Sequence, residues 1–207
     1  MLGSNAFNIC NNTNASWTNS LTNPGGTNVC LVVCITSYTY SQVFNSLTYG
    51  GQAMTLIDVT TAYDSGGRAA IYVLPNPPSG ANTLSVNYGA TVAAYSSIVA
   101  AFFDNVDQAS PVRAYARTDS TGSHTTRSTT LASADGDLCV DGLLKNLGTA
   151  SVSQAGQTLV NSIEGAANCA DAYMSTKPGA ASVTMGWTLS QANTKPAHFI
   201  MSLRRAP

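Results

Sequence analysis

The stretch Ser46-Leu-Thr-Tyr-Gly-Gly-Gln-Ala-Met-Thr-Leu-Ile57 decides how this chain is read. Two runs containing apolar residues flank Gly50-Gly51, and Gly-Gly between such runs is a two-residue hairpin signal. The turn needs positive φ at both central positions, which glycine adopts without a Cβ clash. The hairpin strands are expected at about residues 42–49 and 53–60. Upstream, Asn23-Pro-Gly-Gly26 is another turn, and residues 28–38 read as a central strand that is apolar on both faces. Val29, Leu31, Val33 and Ile35 take one face, and Cys30, Val32 and Cys34 the other. Burying each Val, Leu or Ile stabilises by roughly 1.5–3 kcal/mol, so this strand is a major core element.

Downstream, Asp64-Ser-Gly-Gly67 turns the chain into a strand over 68–74. Pro75-Asn-Pro-Pro-Ser-Gly80 ends it, because proline cannot donate to a central ladder. Leu84, Val86 and Tyr88 alternate onto one face, and 95–103 is a second two-faced strand. Residues 118–128, with His124, are expected as a polar exposed loop. Val183, Met185, Trp187 and Leu189 share a face, and the closing strand 197–203 turns Phe199, Met201 and Leu203 inward. No segment sustains a 3.6-residue period, and no fixed-period repeat occurs. The expected fold is all-β: an antiparallel two-sheet β-sandwich of jelly-roll type with about a dozen short strands. The sandwich domain is expected over 28–207, preceded by an N-terminal arm or edge strand over 1–27.

Charged residues make up 9% of the chain, with formal net charge −1, against roughly 25% for ordinary soluble domains. No basic stripe is present to neutralise phosphates, which argues against nucleic acid as a partner. A surface so poor in charge is weakly protected against self-association. There is no run of about 18 apolar residues, so no membrane-spanning helix is expected. The N-terminus lacks the basic and continuous apolar regions of a signal peptide, and Met1 favours a protein made and used without export.

Five cysteines cannot all pair within one chain. Cys30 and Cys34 lie about 13 Å apart along one strand, beyond disulfide reach, and read as small core hydrophobes, as does Cys139. Cys10 and Cys169 sit in polar surroundings where a bridge between them is one option. No Cys–His cluster points to zinc, so no cofactor is expected. The pattern fits a reducing compartment.

The phrases Ser46 to Leu56 quoted above, Tyr72-Val-Leu-Pro-Asn-Pro-Pro-Ser-Gly-Ala-Asn-Thr-Leu84 and Asn105-Val-Asp-Gln-Ala-Ser-Pro-Val112 occur in that order. Gly136-Asp-Leu138, Ala155-Gly-Gln157 and Lys177-Pro-Gly-Ala-Ala-Ser-Val-Thr-Met-Gly-Trp187 follow. Together they resemble a jelly-roll β-sandwich module found in bacterial secreted multidomain proteins and in bacteriophage virion proteins. The resemblance spans about residues 28–203 and implies architecture more firmly than activity. With the module filling the chain, it implies a capsid decoration (cement) or fibre protein.

The sequence marks no catalytic constellation. His124 reads as a loop histidine and His198 as a satisfied histidine of the last strand. No G-x-S-x-G elbow occurs, and the single Glu164 leaves no Glu pair for glycoside hydrolysis. Asp104, Asn105 and Asp107 are a possible calcium site, as are Asp135 and Asp137, but neither is an EF-hand loop and both suit backbone-bonded turns. Tyr38, Tyr40, Tyr49, Tyr63, Tyr115, Tyr173 and Trp17 are candidates for sugar stacking. Asn11-Asn-Thr13 and Asn14-Ala-Ser16 match the glycosylation pattern, which arises easily in such a polar stretch.

The expected function is therefore non-enzymatic: a virion structural protein that decorates a capsid. It would self-associate, as a trimer, and contact the major capsid protein on the capsid exterior after assembly in the host cytoplasm. Phe7, Ile9, Trp17 and Leu21 of the arm are the expected interface anchors. Deleting 1–22 is expected to leave a folded domain that no longer decorates. The alternative is a lectin-like carbohydrate-binding module of a fibre or of an extracellular protein.

Overall fold

The computed structural model describes residues 1–12, 14–37, 44–63, 67–89, 94–119, 122–145, 149–164, 170–194 and 196–207. Among them are seventeen strands and no helix. Four antiparallel sheets stack in layers. Sheet I contains, in order, β2 (Ser16–Asn23), β8 (Gly80–Asn87), β4 (Ser46–Tyr49) and β5 (Gln52–Ala53). Sheet II runs β1 (Gly3–Asn12), β9 (Ala94–Phe103), β3 (Cys30–Ser37), β7 (Gly67–Pro75) and β6 (Thr55–Tyr63). Sheet III runs β10 (Val112–Thr118), β17 (Ala197–Leu203), β12 (Leu138–Lys145), β15 (Asp171–Pro178) and β14 (Thr158–Ile163). Sheet IV is β11 (Ser123–Ala132), β16 (Ser182–Thr194) and β13 (Ala150–Val152).

The all-β sandwich is thus present, with four sheets where two were expected. The reason lies in its two-faced strands. β3 and β9 send Leu31, Val33, Ile35, Ile98, Ala100 and Phe102 toward sheet I, where Leu47, Tyr49, Leu84, Val86 and Tyr88 meet them. Their alternate residues, Cys30, Val32, Cys34, Val99, Ala101 and Phe103, pack on Val140, Leu144, Met174, Phe199 and Met201 of sheet III. A sheet apolar on both faces must be covered on both. Sheet III is two-faced as well: β17 is buried at every position, with Ile200 and Cys139 turned toward Val183 and Met185 of sheet IV. Where sheet III crosses sheet II at Gly142, a Cβ would run into the Cys34 thiol.

The Gly50-Gly51 hairpin forms with φ of 56° and 78°, the positive pair that a tight hairpin turn requires. It is shorter than expected, because β5 is two residues long and the chain leaves sheet I at Met54 to enter sheet II as β6. The expected loop at 118–128 is also corrected. From Ser123 onward the backbone pairs with β16, and alternate side chains, Arg127, Thr129 and Leu131, are buried.

The N-terminal segment is two edge strands rather than a free arm. β1 pairs with β9 in sheet II and β2 with β8 in sheet I. Leu21 is 1% exposed in the core shared by these sheets, so it is spent on the chain's own packing and cannot anchor a partner. Removing 1–22 would strip an edge from both sheets, so the expectation of an intact truncated domain does not stand.

Candidate functional site

The layers differ in chemistry. The contacts of sheet II with I and III are mainly apolar, with polar exceptions such as Asn161 of β14 to Ser4 of β1 at 3.1 Å, whereas the space between III and IV holds a row of buried polar side chains. At its centre is Asp141, fully buried in β12. Its Oδ2 accepts hydrogen bonds from Trp187 Nε1 at 2.8 Å, His198 Nε2 at 2.8 Å and Gln157 Nε2 at 3.2 Å. Its Oδ1 accepts from the Ser175 backbone N–H at 3.0 Å and from the Ser175 hydroxyl. Gln157 in turn accepts from the Gly186 N–H at 2.9 Å, tying the loop before β14 to β16. A carboxylate can only accept, so His198 donates through Nε2. Its Nδ1 lies 2.9 Å from Thr129 Oγ1, which is 2.8 Å from Thr118 Oγ1.

Thr129, His198 and Asp141 thus form a hydroxyl–imidazole–carboxylate line, the order of groups that nucleophilic catalysis uses. Burial decides what this line can do. His198 and Asp141 are wholly inaccessible and Thr129 is 6% exposed, so the line clamps sheets III and IV together. Nearer one end of the row, Lys145 Nζ pairs with the Asp171 carboxylate and lies 5.1 Å from the Tyr173 ring centroid. Burial pushes the Lys145 ammonium below its ordinary pKa, against the opposing pull of Asp171.

At the other end, Asp137 accepts from Arg113 Nε at 2.5 Å, Ser202 Oγ at 2.9 Å and the Arg205 backbone N–H at 3.2 Å. Burial pushes this carboxyl up, but Arg113, Arg205 and Ser202 together outweigh it and hold the group below its usual value. A carboxyl with a lowered folded-state pKa contributes stability above its unfolded pKa of about 3.9, and that contribution is lost as pH falls through the folded value. Asp137→Asn should therefore cost about 1–3 kcal/mol at pH 7. The gap to the parent protein should close below about pH 4, read by urea titration across pH. A gap independent of pH would contradict this assignment.

The outer surfaces are of another kind. Sheet I carries no charged residue in any of its four strands. Its solvent face presents Ser16, Thr18, Ser20, Thr22, Thr83 and Ser46. The solvent face of sheet IV presents Thr126, Ser128, Thr130, Ser182, Thr188 and Ser190, also without charge. Cross-strand register puts Thr18 beside Ser85, Ser20 beside Thr83 and Thr126 beside Thr188, so the hydroxyls stand in ladders. Charge sits instead on edges and ends, as in the Arg117 pairs with Asp58 at 2.5 Å and Asp119 at 2.6 Å.

The residues singled out from sequence fall as follows. Phe7 and Trp17 are half-buried and pack on each other with ring centroids 5.7 Å apart. Ile9 lies opposite Ser96 in the β1–β9 ladder, and its side chain is outside the described part. Asp104 is 3.7 Å from the N-terminal amino group, and Asn105 takes a left-handed φ of 58°. Asp107 closes its own turn, accepting from Ala109 N at 2.9 Å and Ser110 N at 3.2 Å. Among the described residues no group of three or more His, Cys, Asp or Glu is placed to hold a metal ion. Tyr49 and Tyr173 are core residues, while Tyr115 is 56% exposed. Tyr38, Tyr40, Cys169 and the side chains of Tyr63 and Cys10 lie outside the described residues.

Sequence reading missed Asp141 and its partners. The signal was there: a single carboxylate inside Leu138-Cys-Val-Asp-Gly-Leu-Leu144 must be buried if the strand is, and a buried charge needs donors. Which residues supply them was not legible, since Ser175, Trp187 and His198 come from two other sheet neighbours and a different layer. No model of a known protein family matches the chain, and no curated protein matches it.

Proposed function

We propose that this protein is a non-enzymatic structural subunit of a bacteriophage virion, a capsid decoration or cement protein that acts by protein–protein contact. The observation that carries the reading is the pair of uncharged hydroxyl faces on the outside of the stack. Such faces lack the charge that keeps proteins apart, and covering them costs little desolvation compared with burying ions. The motif resemblance supplies the virion context. The partners are further copies of this chain, as a trimer, and the major capsid protein. Binding only the assembled lattice would stabilise that lattice by mass action. Phe7 and Trp17, half-buried at neighbouring sheet edges, add aromatic contact area.

The test places a charge on each face. Ser20→Lys on sheet I and Ser128→Lys on sheet IV are both solvent-facing and should change stability by less than about 0.5 kcal/mol. At least one should weaken co-sedimentation with capsid shells by about tenfold or more, because a lysine buried without a partner is costly. Unchanged capsid binding by both variants, or no capsid binding by the parent protein, would remove this reading.

A further inference from the structure

We infer that a polar cup at one end of sheets I and II is a binding site for a neutral saccharide. The cup has a volume of about 300 Å³ and lies between the turn at 23–29 and the turn at 75–80, with Gln52 of β5 on its rim. That volume is at the small end of ligand pockets and suits a terminal mono- or disaccharide. The site is distinct from the hydroxyl faces, so it stands or falls independently of the capsid reading.

Its walls are built before any ligand arrives. Asn23, 3% exposed, donates to the carbonyls of Pro77 at 3.0 Å and Pro78 at 3.2 Å and accepts from the Gly25 N–H at 3.1 Å. One buried amide therefore locks the two turns to each other. The Asn76 N–H reaches the Val29 carbonyl at 2.9 Å, a second tie across the floor. Rings of Pro77 and Pro78 restrict the backbone further.

The lining is open to a ligand. Asn28, Gln52, Asn76 and Ser79 are exposed and border the cup, and among the described residues no hydrogen bond engages the three side-chain amides. Each amide offers donors and an acceptor together. No lining residue is charged, so an ionic ligand would lose water and gain no counter-charge. Sugar hydroxyls both donate and accept, which is what convergent amides match. Asn28 and Asn76 sit at left-handed φ of 54° and 50°, angles that glycine holds at least as easily.

The same fact supplies the test. Asn28→Gly and Asn76→Gly remove the amides while keeping backbone angles that glycine accepts, and Gln52→Ala removes the third. The full chain is screened on an array of neutral and acidic glycans and then titrated calorimetrically with cellobiose, maltose, lactose and N,N′-diacetylchitobiose. The expected result is saturable binding of a neutral saccharide that the triple variant loses by about tenfold or more, with its melting temperature kept within a few degrees. Three results would overturn the inference: no neutral saccharide bound at millimolar concentration, only acidic glycans bound, or parent-like binding by the triple variant.

Discussion

Asp141→Ala is expected to lower stability by about 3–5 kcal/mol. Five donors converge on this carboxylate: the Trp187 indole, the His198 imidazole, the Gln157 amide, and the Ser175 amide and hydroxyl. They come from β16, β17, the loop before β14, and β15, so one side chain joins two sheets. Alanine leaves the Trp187, His198 and Ser175 donors facing a void that water enters only by crossing a packed layer, while Gln157 keeps its bond to Ser175 Oγ at 2.7 Å. Each buried donor without an acceptor costs roughly 1–3 kcal/mol, and relaxation will recover part of the sum. Asp141→Asn keeps the shape but replaces one acceptor oxygen with a donor, so it should cost less than alanine while remaining destabilising. Urea unfolding followed by far-ultraviolet circular dichroism reads both variants. A change under about 1 kcal/mol for Asp141→Ala would show that the network contributes little beyond its own desolvation.

The second large effect is an asymmetry at Lys145 and Asp171. Lys145→Met should destabilise by about 3–5 kcal/mol, because the Asp171 carboxylate stays buried without its ammonium. The double variant Lys145→Met with Asp171→Leu should return to within about 1 kcal/mol of the parent, since buried ion pairs often do no better than apolar residues of similar volume. The lowered pKa of Lys145 fits this ordering: burial is the larger influence on the ammonium and Asp171 only partly offsets it. A double-mutant cycle in denaturant measures the coupling. If the double variant is as unstable as the single, the pair is contributing net stability and this account of it fails.

Asp141 and the Lys145–Asp171 pair lie in one layer. The buried polar network around Asp141 and the Lys145–Asp171 pair is directed inward, between sheets III and IV. Tyr115 and Leu56 are exposed elsewhere, while the outer faces of sheets I and IV that remain for partners are uncharged hydroxyl. A partner would recognise shape and hydroxyl pattern there, and contacts of that kind gain strength from repetition across many copies.

Sequence alone determined the strands that matter most. The alternation in Val29 to Ile35 sorted Leu31, Val33 and Ile35 from Cys30, Val32 and Cys34, and the two sets face different layers in the fold. Gly50-Gly51, the proline-rich break after Leu74 and the inward row Val183, Met185, Trp187 and Leu189 were equally legible, because each is a local consequence of φ, of a missing N–H or of a two-residue period. What only the tertiary structure decided was the number of layers and the partners of buried charge. A strand apolar on both faces demands two covers without saying which segments supply them. Asp141 demands donors without naming Trp187, 46 residues away, or His198, 57 away. Contacts over such separations are set by how sheets stack, and stacking is a property of the whole chain.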